Sequence, residues 1–158
     1  MESSDDLKDV QIWTRGVTGK NEVGGYGAVL VAGEKFRQLC GAQSNASSNR
    51  MDLEATIAAL KKLRFRCRVQ VWNSNAYLVD AMRQDWPQKW QKNGWRAGDR
   101  KPIANADLWL ELLSLVPNHE VSFERLALSG QTPQLKRCDA LAREAIAEFL
   151  ESEPEPPA

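Results

Sequence analysis

The chain has 158 residues with 21 basic and 21 acidic side chains, so its formal net charge is zero, and 42% of its residues are hydrophobic. This length suits a single globular domain, and no apolar run approaches the roughly 20 residues that a membrane-spanning helix needs. His119 is the sole histidine, which excludes metal sites built on several imidazoles.

The composition of the chain ends predicts one folded unit between two tails. Residues 1–9 are acidic, unlike the basic start of a secretory signal peptide, and we expect them to be flexible. Residues 10–150 form the expected domain, and residues 151–158, rich in glutamate and proline, are expected to be a disordered tail. Three widely spaced cysteines are typical of a reduced cytoplasmic protein.

Alternating hydrophobic patterns predict three strands in the first part of the chain. Residues 10–14 and 28–31 alternate as strands do, and residues 35–42 complete an antiparallel meander. The cluster Gly24 to Gly27 predicts a turn between the first two strands.

Helical periodicity dominates the second part. Ser47 to Asn49 supply N-cap candidates for a helix whose apolar stripe runs from Met51 to Leu63. The remaining predicted elements are a strand at 69–72, a helix at 76–85, a tryptophan-rich basic segment from Trp86 to Lys101, a helix at 105–115, a strand at 121–126 and a final helix at 134–150. Strands that alternate with helices call for partly parallel pairing.

Four strings in this order resemble type 1 ribonuclease H of bacteria. They are Gly24 to Ala28, Asn49 to Leu53, Trp86 to Trp109 and Arg137 to Ala142. The resemblance implies a ribonuclease H-like α/β fold, with a five-stranded mixed sheet of three antiparallel strands followed by parallel strands, flanked by helices. It also implies cleavage of the RNA strand of an RNA/DNA hybrid by carboxylates that hold two Mg²⁺ or Mn²⁺ ions.

The resemblance assigns five positions of this sequence to the active site. Asp52 and Asp139 keep a carboxylate there. Arg15 and Ser74 stand where the family has metal-binding aspartates, and Ser129 lies near the position of the family's loop histidine. A fixed cation among so few carboxylates disfavours a divalent ion.

These substitutions predict a catalytically inactive ribonuclease H-like protein without a bound metal, which still binds RNA/DNA hybrid or other nucleic acid. We expect the Arg15 guanidinium to pair with Asp52 and Asp139 instead. Two alternatives remain open: a protein-interaction or regulatory module on the same fold, and a weak residual metal-dependent hybrid endonuclease.

The tryptophan-rich segment is the main predicted nucleic-acid surface. Interleaved cations and flat rings suit phosphates and sugars or bases, although the rings could equally be packing residues. In bacterial relatives the matching segment forms a basic protrusion that grips the DNA strand. The polar start of the first helix is the second candidate surface, since its donors suit a phosphate. The residues are Ser47, Ser48, Asn49, Trp86, Lys89, Trp90, Lys92, Trp95, Arg96, Arg100 and Lys101.

Overall fold

A computed structural model describes residues 6–127 and 132–152. Its strands are β1 (Lys8–Thr18), β2 (Gly24–Ala32), β3 (Lys35–Gln43), β4 (Cys67–Asn73) and β5 (Glu120–Arg125). Its helices are α1 (Ser48–Lys61), α2 (Ala76–Arg83), α3 (Trp86–Lys92), α4 (Ala106–Leu115) and α5 (Pro133–Ser152). None of the helices in these ranges is long and apolar enough to cross a membrane.

The five strands form one mixed sheet, in the order β3-β2-β1-β4-β5. The pairs β1 with β2 and β2 with β3 are antiparallel, whereas β1 with β4 and β4 with β5 are parallel. This arrangement confirms the predicted ribonuclease H-like α/β fold. The central strand β1 therefore joins an antiparallel half to a parallel half.

The alternation along β1 distributes its side chains between two apolar layers. Ile12 faces a core shared with α1, α2 and α4, to which Leu53 and Trp109 contribute. Trp13 faces the opposite side and packs with Cys138 and Leu141 of α5. Helices thus cover both faces of the sheet, and burial of the apolar side chains of both faces stabilises it.

The glycine cluster lies within a strand, so its prediction as a turn was wrong. A Cβ on Gly25 would stand 2.6 Å from the Ile146 side chain, and one on Gly27 would stand 2.9 Å from the Leu141 Cβ. Both neighbours belong to α5, which crosses β2 too closely for any side chain. The glycines therefore serve helix packing, and β1 and β2 are joined instead by residues 19–23, which include a 3-10 turn at Lys20–Glu22.

The predicted tail boundaries differ slightly from the structure. Strand β1 begins at Lys8, inside the segment expected to be flexible, and Leu7 is already buried. Helix α5 continues to Ser152. The expected disorder of residues 1–5 and 153–158 lies outside the described residues.

Candidate functional site

A polar pocket opens where β1 and β4 end and where α1 and α2 begin. Its volume is about 350 Å³. Parallel neighbours β1 and β4 bring their carboxyl ends to one edge of the sheet, which is where α/β proteins commonly bind ligands. The pocket is lined by Arg15, Gly16, Val17, Thr18, Ser48, Asn49, Asp52, Ser74, Asn75 and Arg143.

Gly16 lets helix α1 lie directly against the end of β1. A Cβ at this position would stand 2.5 Å from the carbonyl oxygen of Ser48. The contact fixes the first turn of α1 beside Arg15, and the N-cap Ser47 starts the helix there by accepting a hydrogen bond from the Arg50 amide at 3.1 Å. The first turn of α1 therefore forms one wall of the pocket.

Asp52 lies at the base of the pocket, where it is 4% exposed. Its carboxylate accepts hydrogen bonds from the Gly16 amide at 2.8 Å, from Asn73 Nδ2 at 3.1 Å and from Asn75 Nδ2 at 3.0 Å. Burial raises the pKa of Asp52, although these donors and the charge of Arg15 act in the opposite direction. Asp52 therefore has its hydrogen-bonding capacity largely filled by neutral protein donors.

Asp139 lies beside the pocket on α5, between two arginines. Its Oδ1 is 3.4 Å from Arg15 Nε and its Oδ2 is 2.8 Å from Arg143 Nε. Burial alone would raise the pKa of Asp139, but Arg143 and Arg15 outweigh it and the pKa is lowered. The carboxylate is therefore held in its charged form.

Arg15 connects three of the positions that the sequence assigned to the site. Besides its contact with Asp139, its Nη1 donates to Ser74 Oγ at 3.3 Å. The expected pairing with Asp139 is present, whereas Asp52 takes the amide donors instead of the guanidinium. The predicted place of Ser129 lies outside the described residues.

The residues present do not fit a pair of divalent ions. Within residues 6–127 and 132–152, no group of three or more His, Cys, Asp or Glu side chains could hold a metal ion. Mg²⁺ prefers several oxygen ligands, and here the oxygens of Asp52 and Asp139 are already engaged by amides and guanidinium groups.

The tryptophan-rich segment forms a separate surface, and in the described residues none of its side chains lines the pocket. Trp86, Trp90 and Trp95 are half-buried against the main core, and the Trp90 ring is 5.4 Å from that of Trp109. The rings are therefore packing residues, which is one of the two interpretations that the sequence left open for them. The cations of the segment are exposed, and they are Lys89, Lys92, Arg96, Arg100 and Lys101.

The predicted residues at the start of α1 divide between two places. Ser48 and Asn49 line the pocket, whereas Ser47 acts as the N-cap. His119 has a structural contact elsewhere, since its Nδ1 accepts a hydrogen bond from the Cys67 amide at 3.1 Å.

Three site residues were missed by sequence reasoning. Asn73 and Asn75 flank Ser74 and fix Asp52, and Arg143 pairs with Asp139 one helical turn away. The i,i+4 spacing of Asp139 and Arg143 on a predicted helix was a usable signal for this pair. The asparagines gave no comparable signal, because their role depends on the tertiary approach of α1 to β4.

Comparison with known proteins identifies the family of this chain. A family model described as RNase H matches residues 7–147. Ribonuclease H of Moorella thermoacetica is 41% identical over 148 residues, covering 93% of this chain and 97% of that protein. Ribonuclease H of Symbiobacterium thermophilum is 39% identical over 142 residues, covering 89% and 97%.

Solved structures share the fold. LC9-RNase H1, a type 1 RNase H with the type 2 active-site motif, matches with a TM-score of 0.80 and 22% identity, over 92% of this chain and 75% of that chain. LC11-RNase H1 in complex with RNA/DNA hybrid matches with a TM-score of 0.62 and 20% identity, over 89% and 99%. At these identities the likeness concerns the fold alone.

The named relatives contradict two expectations from the sequence. Proteins about 40% identical over most of the chain are named ribonuclease H, which points to an active enzyme and not to a catalytically inactive one. The expectation of no metal cofactor is wrong for the same reason, because the family resemblance implies Mg²⁺ or Mn²⁺. The match to ribonuclease H over almost the whole chain outweighs the substitutions at Arg15 and Ser74.

Proposed function

The chain belongs to the RNase H family, and on that premise we propose that it is a ribonuclease that binds RNA/DNA hybrids and cleaves their RNA strand. The observation that carries this proposal is the match to ribonuclease H proteins over almost the whole chain. The bacterial origin of these relatives also supports a cytoplasmic location.

The pocket supplies a place for the hybrid's backbone. It offers hydroxyl, amide and guanidinium donors at the edge of the sheet, from Ser48, Asn49 and Arg15. Phosphate oxygens accept hydrogen bonds from such groups, and these contacts position a nucleic acid without reading its sequence. The wide, shallow groove of an A-like duplex suits recognition by such surface donors.

The exposed cations of the tryptophan-rich segment supply a second contact. The half-buried rings pack this segment against the core, and the side chains of Lys89, Lys92 and Arg96 are exposed to solvent. Each phosphate that they neutralise releases counterions, so binding should weaken as salt rises.

The test is a titration of a labelled RNA/DNA hybrid at low and moderate salt, with Mg²⁺ or Mn²⁺ present, followed by separation of the strands. We expect salt-sensitive binding, a shortened RNA strand and an intact DNA strand, with no cleavage of a DNA duplex of the same sequence. An RNA strand that stays intact at protein excess with both metals would overturn the proposal.

A matched pair of variants links cleavage to the pocket. Asp139→Asn removes the carboxylate between the two arginines, whereas Glu148→Gln changes an exposed carboxylate on the same helix. We expect Asp139→Asn to lose cleavage and Glu148→Gln to keep it. Equal cleavage by the two variants would place the reaction outside this pocket.

A further inference from the structure

Two cations share one anion at the edge of the pocket. Arg15 and Arg143 each form an ion pair with Asp139, on different carboxylate oxygens. The side chain of Arg15 is 24% exposed and that of Arg143 is 62% exposed, so both are within reach of a solute in the pocket. The cluster carries one positive charge that Asp139 does not balance.

Asp52 formally offsets that charge, and the charge of Arg15 acts on it, but its carboxylate lies at the base of the pocket and not at the exposed edge. It is buried at the base of the pocket and holds three neutral donors, from Gly16, Asn73 and Asn75. Within the described residues it is the only carboxylate that lines the pocket. Beyond Asp52 the lining is thus cationic or neutral, which is a setting for an anion.

The neutral groups of the lining are donors. The Ser74 hydroxyl accepts from Arg15 Nη1 at 3.3 Å, so its own proton is available to a guest. Ser48 and Asn49 stand in the first turn of α1, where amide groups have no partner within the helix. These donors add to the guanidinium groups and do not carry the inference alone.

We propose that this pocket binds a phosphate group by direct contact with protein side chains, with Arg15 and Arg143 as its counter-ions. Guanidinium groups commonly pair with phosphate through two parallel hydrogen bonds. This inference rests on the proposed function for its ligand, since the phosphate of an RNA/DNA hybrid is the source that the family implies.

The first experiment uses inorganic phosphate as the probe, in EDTA, with backbone amide chemical shifts as the signal. We expect the amides of Gly16 and Asn49 to shift with phosphate concentration in the native chain. Arg15→Gln should weaken phosphate binding about tenfold, which is the scale of one charged hydrogen bond. Arg15→Lys should recover part of it, because the charge returns without the planar fork.

Two further variants control for folding and for nonspecific charge. Arg143→Gln changes an exposed side chain and should also weaken phosphate binding while leaving the circular dichroism spectrum unchanged. Arg37→Gln removes an exposed cation from β3, outside the pocket, and should leave phosphate binding as it is. Equal weakening by Arg37→Gln would mean diffuse charge attraction and would overturn the proposal.

The second experiment uses the RNA/DNA hybrid in EDTA and separates a backbone phosphate from free phosphate as the ligand. Arg15→Gln should lower the slope of the binding constant against salt by about one, as loss of one phosphate contact does. An unchanged slope would overturn the assignment of the pocket to backbone phosphate.

The two proposals can fail separately. Hybrid that is cleaved with Mg²⁺, by a chain whose pocket amides do not respond to phosphate in EDTA, would refute direct phosphate binding and leave the ribonuclease assignment intact. Phosphate binding that depends on Arg15, without any cleavage of the hybrid, would support direct phosphate binding and refute the ribonuclease assignment.

Discussion

Gly27 allows β2 and α5 to touch, and its replacement by alanine tests that contact. A Cβ at this position would stand 2.9 Å from both the Leu141 Cβ and the Cys138 carbonyl carbon, and closer still to the Cys138 carbonyl oxygen. Carbon atoms at rest lie about 3.5 to 4.0 Å apart, so α5 must move away by a sizeable fraction of an ångström. Overpacking of this kind costs about 3 kcal/mol at the upper end of its usual range.

This cost corresponds to a fall in Tm of about 6 to 12 °C for a chain of this size. Urea and thermal unfolding followed by circular dichroism measure it. Because Asp139 follows Cys138 on α5, we also expect weaker hybrid binding at temperatures where the variant is still folded.

Gly98→Ala is the matched control, since a Cβ there meets nothing within 4 Å. We expect its free energy of unfolding to stay within about 0.5 kcal/mol of the native chain. A Gly27→Ala variant that is as stable as Gly98→Ala would refute the reasoning that helix approach, and not turn formation, explains this glycine.

Three other predictions concern the site and the tryptophan-rich segment. The pKa of Asp139 is lowered in the fold, so the ionised carboxylate stabilises the fold at pH values above the unfolded-state pKa, and this contribution is lost as pH falls through the folded-state pKa. The difference in Tm between the native chain and Asp139→Asn should therefore shrink in acid. A Tm difference that stays constant with pH would contradict this prediction. Trp90→Ala should lower the free energy of unfolding by about 3 kcal/mol, because the ring packs on Trp109. Urea unfolding measures this change. A decrease in the free energy of unfolding below about 1 kcal/mol would mean that the ring does not contribute to packing. Lys89→Gln should leave Tm unchanged and lower the salt slope of hybrid binding by about one; an unchanged slope would remove this residue from the binding surface.

The sequence predicted the elements well because local patterns determine them. The stripe from Met51 to Leu63 and the alternation at 10–14 both depend on near neighbours in the chain, and α1 and β1 lie where these patterns placed them. Local patterns also indicated partly parallel pairing, and family resemblance then supplied the full five-stranded mixed sheet; the order of its strands came from the structure.

The failures concern contacts between distant parts of the chain. Gly25 and Gly27 belong to a cluster that is typical of a turn, yet glycine is needed there because α5, more than 100 positions later in the chain, packs against them. Asn73 and Asn75 matter only because α1 brings Asp52 to them. The prediction of inactivity erred by treating Arg15 and Ser74 as decisive without the rest of the family match.

The seam between β1 and β4 has a consequence for folding kinetics. The antiparallel strands β1 to β3 follow one another directly in the chain, whereas the parallel pairing of Lys8 with Cys67 must close a loop that contains β2, β3 and α1. Closing long loops slows folding, since the entropy is lost before the contacts form. The pocket is formed where β1 meets β4, so phosphate cannot bind until these two strands have paired. We therefore expect phosphate binding to appear later in folding than the secondary structure of β1 to β3.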